Sequence, residues 1–154
     1  PWMPLTDAEW EVLAPFVTRA APRGRPCDLR ARMDAIFWVA CTEDPWRCLP
    51  EHMGRPDTVA RYFRRLDDAR VWDRLLEAIA FGGGSGPREA ALRSMKARIC
   101  RACRRAHGVR RLRLVFLARR LGVWRALPAP PPLCPNLKLS VFLWTWPLWR
   151  RIPK

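Results

Sequence analysis

Carboxylates are almost missing from the second half of this 154-residue chain: of its 14 Asp and Glu, only Glu89 lies beyond residue 80. A centre that activates water or stabilises a leaving oxygen with two divalent metals needs several carboxylates, so residues 81–154 cannot assemble one. Long apolar runs are missing too. The stretch 137–149 contains Lys138 and Pro147 and falls short of the ~20 residues that span a bilayer. The first residues, Pro1 to Asp7, show no basic region followed by an apolar run, so no signal peptide is visible. These absences lead us to expect a cytoplasmic, non-spanning chain whose six cysteines, 27, 41, 48, 100, 103 and 134, stay reduced rather than forming a disulfide framework. The length allows one ordinary domain, or a small domain with an appendage.

What the chain has in excess is positive charge and proline. It carries 29 Lys and Arg, a formal charge of +15, and 16 Pro. The charge is unevenly placed: residues 1–80 hold 12 Arg and 13 carboxylates, whereas residues 81–154 hold 17 Lys and Arg against Glu89 alone, which gives −1 and +16. Charge of that density points to a polyanion or an anionic surface as partner. The break in composition fits either a basic appendage or a decayed, out-of-frame remnant, and both readings stand at this point.

The first half reads as helical. Thr6-Asp7-Ala8-Glu9 forms a capping box, and Trp10, Leu13, Phe16 and Val17 follow at helical spacing, which predicts a helix over about 7–18. Ala21 to Pro26, punctuated by Pro and Gly, reads as a basic arm or linker carrying Arg23 and Arg25. Asp28 can cap a second helix with the stripe Leu29, Met33, Ile36, Phe37 and Ala40, stopped by Asp44-Pro45. A short segment, 45–53, closes at Gly54. A further helix then begins near Asp57-Thr58, with Val59, Tyr62, Phe63 and Leu66 inward and Thr58, Arg61, Arg64 and Arg65 outward. A short helix, a glycine turn and a second helix make a helix-turn-helix, whose second helix can enter the major groove. Trp72, Leu75, Leu76 and Ile79 define a closing helix.

A series of short motifs appears in order: Leu5-Thr6-Asp7-x-x-Trp10, Arg23-Gly24-Arg25-Pro26, Ile36-Phe37-Trp38-Val39, Pro45-Trp46-Arg47-x-Leu49-Pro50, Thr58-Val59 with Phe63-Arg64-Arg65, and Val71-Trp72-x-x-Leu75-Leu76. Over residues 4–80 this series resembles the N-terminal, IS402-like domain of insertion-sequence transposases of the IS-five group. The resemblance implies a helix-turn-helix DNA-binding module that, in full-length relatives, precedes an RNase H-like domain with a DDE carboxylate triad. Residues 81–154 lack those carboxylates, so the chain reads as a truncated or diverged, non-catalytic form. Two positions depart from the pattern: Leu66 stands where relatives carry Trp, and Arg70 where they carry Gly. The implied partner is duplex DNA, such as the terminal inverted repeats of an insertion element, with a homodimer possible and no cofactor. The DNA-binding candidates are Arg23, Arg25, Arg61, Arg64 and Arg65 for phosphates, with Thr58 and Arg61 for base edges, because the N-terminal part of a recognition helix reaches deepest.

Beyond residue 80, Phe81 to Pro87 reads as a Gly-rich linker over 81–88, since no strand precedes it and no Lys-Ser/Thr follows. Leu92, Met95, Ile99, Cys103 and Ala106 then keep helical spacing among arginines, and a second such segment covers 112–121; together they form a basic amphipathic region, 89–127. Cys100, Cys103 and His107 have ligand-like spacing, yet on a helix they are also places where small residues pack. His52 has no recognisable nucleophile beside it and reads as a turn residue. The Pro/Trp-rich tail, 128–154, ends with Trp144, Trp146 and Trp149 beside cations, and supports a rival reading as a basic interaction or peripheral membrane module. Pro147 weakens it by breaking the helix such binding prefers. The fold class that emerges is mostly α: a small helix-turn-helix bundle followed by a basic helical, Pro-rich tail.

Overall fold

The computed structural model describes residues 2–20, 27–106 and 108–123, and all of its regular structure there is helical. The first helix, α1 (Asp7–Thr18), opens on the expected capping box: the Glu9 amide donates to Thr6 Oγ1 at 3.3 Å, and the Thr6 amide donates to Glu9 Oε2 at 3.0 Å. Asp28 caps α2 (Leu29–Thr42) by accepting from the Ala31 amide at 3.0 Å. The helix ends one residue before the expected stop, with Glu43 left-handed at φ 62°.

The segment expected to be the first helix of a helix-turn-helix is instead two single 3₁₀ turns, Trp46–Cys48 and Glu51–Met53. Pro45 and Pro50 each precede a turn; neither has an amide to donate, and Pro50 holds Leu49 in an extended conformation. Gly54 then turns the chain at φ 106°, a conformation that disfavours any side chain. α3 (Pro56–Asp68) starts slightly earlier than Asp57-Thr58, with proline at its first turn. α4 (Val71–Phe81), α5 (Pro87–Arg105) and α6 (Gly108–Arg120) complete the described bundle.

Arg70, the residue that replaces glycine in the family pattern, is left-handed at φ 54°, ψ 33°. A side chain there costs about 1–2 kcal/mol in the folded backbone, offset in part by the greater freedom glycine gives the unfolded chain. Arg70→Gly is therefore expected to stabilise the protein by about 0.5–1 kcal/mol, read as a raised urea midpoint with an unchanged slope.

The largest departure from the sequence reading concerns α5. Rather than an outlying basic segment beyond a linker, it packs against α1, α2, α4 and α6, and residues 1–124 form one compact unit. Met95, Ile99, Cys100, Ala102 and Cys103 are completely buried, with Ala91 and Leu92 nearly so. This is more than one stripe, as a helix enclosed on several sides requires. The expected linker is a tight connection between α4 and α5: a Cβ on Gly82 would lie 2.7 Å from the Ala78 carbonyl oxygen, so only glycine allows the chain to leave α4 there. The Pro/Trp-rich tail, and the membrane reading that rested on it, lie outside the described residues. Among the described residues no helix is long and apolar enough to cross a membrane.

Ion pairs join the two halves. Glu9 is buried, and its Oε1 accepts from Ser94 Oγ at 2.6 Å and from the Arg98 guanidinium. Burial by itself would push this carboxyl up, but Ser94, the Thr6 amide and Arg98 together hold it below the usual carboxylate range. At the other end Arg113 bridges Asp67, at 3.0 Å, and Asp73, while Arg110 reaches Asp68 at 2.6 Å. Asp67, in the last turn of α3, is buried. Burial raises its pKa despite Arg113 and Arg110 beside it.

Candidate nucleic-acid interface

α3 sorts its residues as its spacing dictates. Val59, Tyr62, Phe63 and Leu66 are buried, and Thr58, Arg61, Arg64 and Arg65 are exposed on the other side. Its inner face is fixed by a row of aromatic rings: Trp46 lies 5.4 Å from Phe63, and Phe63 lies 5.5 Å from Trp72, centroid to centroid and tilted. Tilted pairs at such separations are favourable beyond their buried area.

α5 supports this row from behind. Arg105 donates to the carbonyl oxygens of Glu43 at 3.1 Å and Asp44 at 2.6 Å, and its guanidinium carbon lies 5.7 Å from the Trp46 ring centroid. Arg105 thus closes the end of α2 and steadies the segment that seats α3. Sequence reasoning missed this role, because nothing local in 100–106 distinguishes Arg105 from the arginines around it.

The cations of the α3 face are electrostatically unsatisfied. The ion-paired carboxylates serve other arginines: Asp7 pairs with Arg30, Glu9 with Arg98, Glu43 with Arg104, Asp67 and Asp68 with Arg110, and Asp67 and Asp73 with Arg113. Among the described residues Arg61, Arg64 and Arg65 have no carboxylate within 4.0 Å. Such a face attracts a polyanion at long range. Thr58, Arg61 and Arg65 are joined by Arg32 of α2, which the sequence reading had not singled out, around a groove of about 190 Å³. Arg23 and Arg25 lie outside the described residues.

No group of three His, Cys, Asp or Glu among the described residues is placed to hold a metal ion. Cys100 and Cys103 are completely buried, and burial pushes the Cys100 thiol up to about 11 and that of Cys103 well above its ordinary value. Both act as small packing groups, held as thiols at neutral pH. His107, their proposed companion, lies outside the described residues.

Residues 5–76 match a family model described as "Putative transposase of IS4/5 family". The chain is also 33% identical over 111 residues to "Uncharacterized protein y4sN" of Sinorhizobium fredii (strain NBRC 101917 / NGR234), a similarity covering 70% of this chain and 83% of that protein. A stretch of that length cannot fit within residues 1–80, so the similarity continues into the second half. This, with the core position of α5, speaks against a decayed origin for the residues just beyond 80. No solved structure matches the chain. With the family model on its first half and a relative matched over most of both chains, the protein belongs to the IS4/5 family of transposases.

Proposed function

We propose that this chain is a DNA-binding module of an insertion-sequence transposase, which grips duplex DNA through the outer face of α3 and has no strand-transfer chemistry in these residues. The observation that carries the reading is the α3 face itself: Arg61, Arg64, Arg65 and Thr58 are exposed together on one helix whose opposite side is core, and none of the three arginines has a carboxylate within 4.0 Å among the described residues. Arg64 and Arg65, with Arg23 and Arg25, contact phosphates, and Thr58 and Arg61 face base edges. The absence of strand-transfer chemistry rests on the single carboxylate beyond residue 80.

The test is fluorescence anisotropy with duplexes bearing the inverted repeats that flank the gene, against scrambled duplexes, over a salt series. Affinity should fall steeply as salt rises, because each neutralised phosphate releases counterions. Arg61→Ala should weaken the preferred site by about 1–3 kcal/mol and random sequence little, so that the two affinities converge. A salt-insensitive affinity, or equal affinity for both duplexes in the parent protein, overturns the reading of α3 as a sequence-reading helix.

A further inference from the structure

We propose that Arg32 of α2 and Arg65 of α3 form a seat for one phosphate group, with Tyr62 between them as its floor and Thr58 and Arg61 completing its wall. The proposal takes from the DNA reading only the source of the phosphate; the seat stands on its own geometry.

Thr58, Arg61 and Arg65 lie three or four residues apart on the outer side of α3, Tyr62 borders the same groove from the core side, and Arg32 enters from the neighbouring helix to complete it. Arg32 and Arg65 thus border one small space, with Arg61 at its wall, and none of the three has a carboxylate partner within 4.0 Å among the described residues. Like charges gathered this way repel, and an oxyanion between them reverses the sign of the interaction. Arginine also suits phosphate in shape, since its planar fork can donate two parallel hydrogen bonds to two oxygens.

The groove is organised before any ligand arrives. The Arg32 guanidinium carbon lies 5.5 Å from the Tyr62 ring centroid, so the ring face steadies the fork. Tyr62 is only 3% exposed, and its buried hydroxyl has no hydrogen-bond partner. Burial and the nearby Cys27 push its pKa up to about 12, while Arg32 and Arg65 pull in the opposite direction. A phosphate fixed here sets the register from which Thr58 and Arg61 meet the adjoining base pairs. Phosphate contacts position, whereas base contacts specify.

The experiment has two arms on the full chain. In the first, inorganic phosphate is titrated against chloride at constant ionic strength while arginine side-chain NMR signals are followed. Saturable shifts are expected at Arg32 and Arg65 but not at the exposed Arg93, and Arg32→Gln should abolish the Arg65 response. In the second, Arg32→Gln should weaken binding to preferred and scrambled duplexes alike, by about tenfold, and lower the salt slope by about 1. Arg32→Lys, which keeps the charge and loses the fork, should retain most of the slope with reduced affinity. Circular dichroism of both variants should match the parent, since Arg32 lies at the edge of the groove. Phosphate shifts no larger in the groove than at Arg93 overturn the seat, as does an unchanged salt slope in Arg32→Gln. If the parent binds no duplex while phosphate still saturates the groove, the DNA reading fails, and the seat stands with a free phosphate compound as its ligand.

Discussion

A chain cut after Gly86 is expected not to fold. The sequence reading treated residues 4–80 as a self-sufficient domain, so the same cut would there leave a working DNA-binding module. In the structure the cut removes α5, and with it Leu92, Met95, Ile99, Cys100 and Cys103 from the space enclosed by α1, α2 and α4. Truncating one buried Leu, Ile or Met to alanine costs about 2–5 kcal/mol, so losing three such side chains together with their helix is as large as the roughly 5–15 kcal/mol by which a domain of this size is stable. The fragment 1–86 should show weak helical circular dichroism, no cooperative urea transition and loss of sequence preference in DNA binding. A cut after Val123 keeps every described helix and should retain a cooperative transition. A cooperatively folded 1–86 would show that α5 decorates the core rather than completing it.

The second large effect lies at Glu9 and Arg98. Arg98→Ala leaves the buried Glu9 carboxylate without its guanidinium, and breaking a buried pair from one side costs about 3–5 kcal/mol. Glu9→Gln should cost less, about 1–2 kcal/mol, because the amide oxygen can still accept from the Thr6 amide or Ser94. The double variant should be less destabilised than the two losses combined, since each single change removes the same contact. The pH dependence follows from the depressed pKa of Glu9. The folded state binds this proton less readily than the unfolded chain does, so the contribution of Glu9 is fully present above its unfolded pKa and fades as pH falls through the folded value. Glu9→Gln should therefore flatten the acid side of the stability curve. Asp67, whose pKa is raised, has the opposite sign: its carboxylate disfavours the folded state at neutral pH relative to its protonated form. Asp67→Asn should accordingly be tolerated better than Glu9→Gln, and urea denaturation at pH 7 and pH 4 checks both.

What was legible in the sequence was what is local. The capping box at Thr6, the cap at Asp28 and the inward stripe of α3 each follow from residues within a turn or two of one another, and each appears where expected. The glycine-like position at Arg70 was legible only through the family pattern. Hidden from the sequence were partners far apart in the chain: Ser94 lies 85 residues from Glu9, and Arg105 lies 62 from Glu43. The count of charge by halves does not tell which cations are internal. Four of the second half's cations, Arg98, Arg104, Arg110 and Arg113, sit on carboxylates of the first half. The two 3₁₀ turns were missed because a short segment with Pro45 at its start and Pro50 in its interior satisfies a helix template that its missing amides cannot complete.

The placement of α5 also sets the order in which the protein can come into being. A ribosome releases α1, α2, α3 and α4 before the helix they enclose exists, so their inner faces, with Leu13, Phe37 and Leu76, stay open while residues 81–105 are being made. At about 5–20 residues per second that interval lasts roughly 1–5 s, long compared with the microseconds in which single helices form. During it the nascent chain is an incomplete shell, sticky on the inside and exposed to chaperones or to the same surface on a neighbouring nascent chain. The step that ends this exposure is the arrival of a basic helix whose Arg98 and Arg104 meet Glu9 and Glu43 as its apolar residues fill the shell.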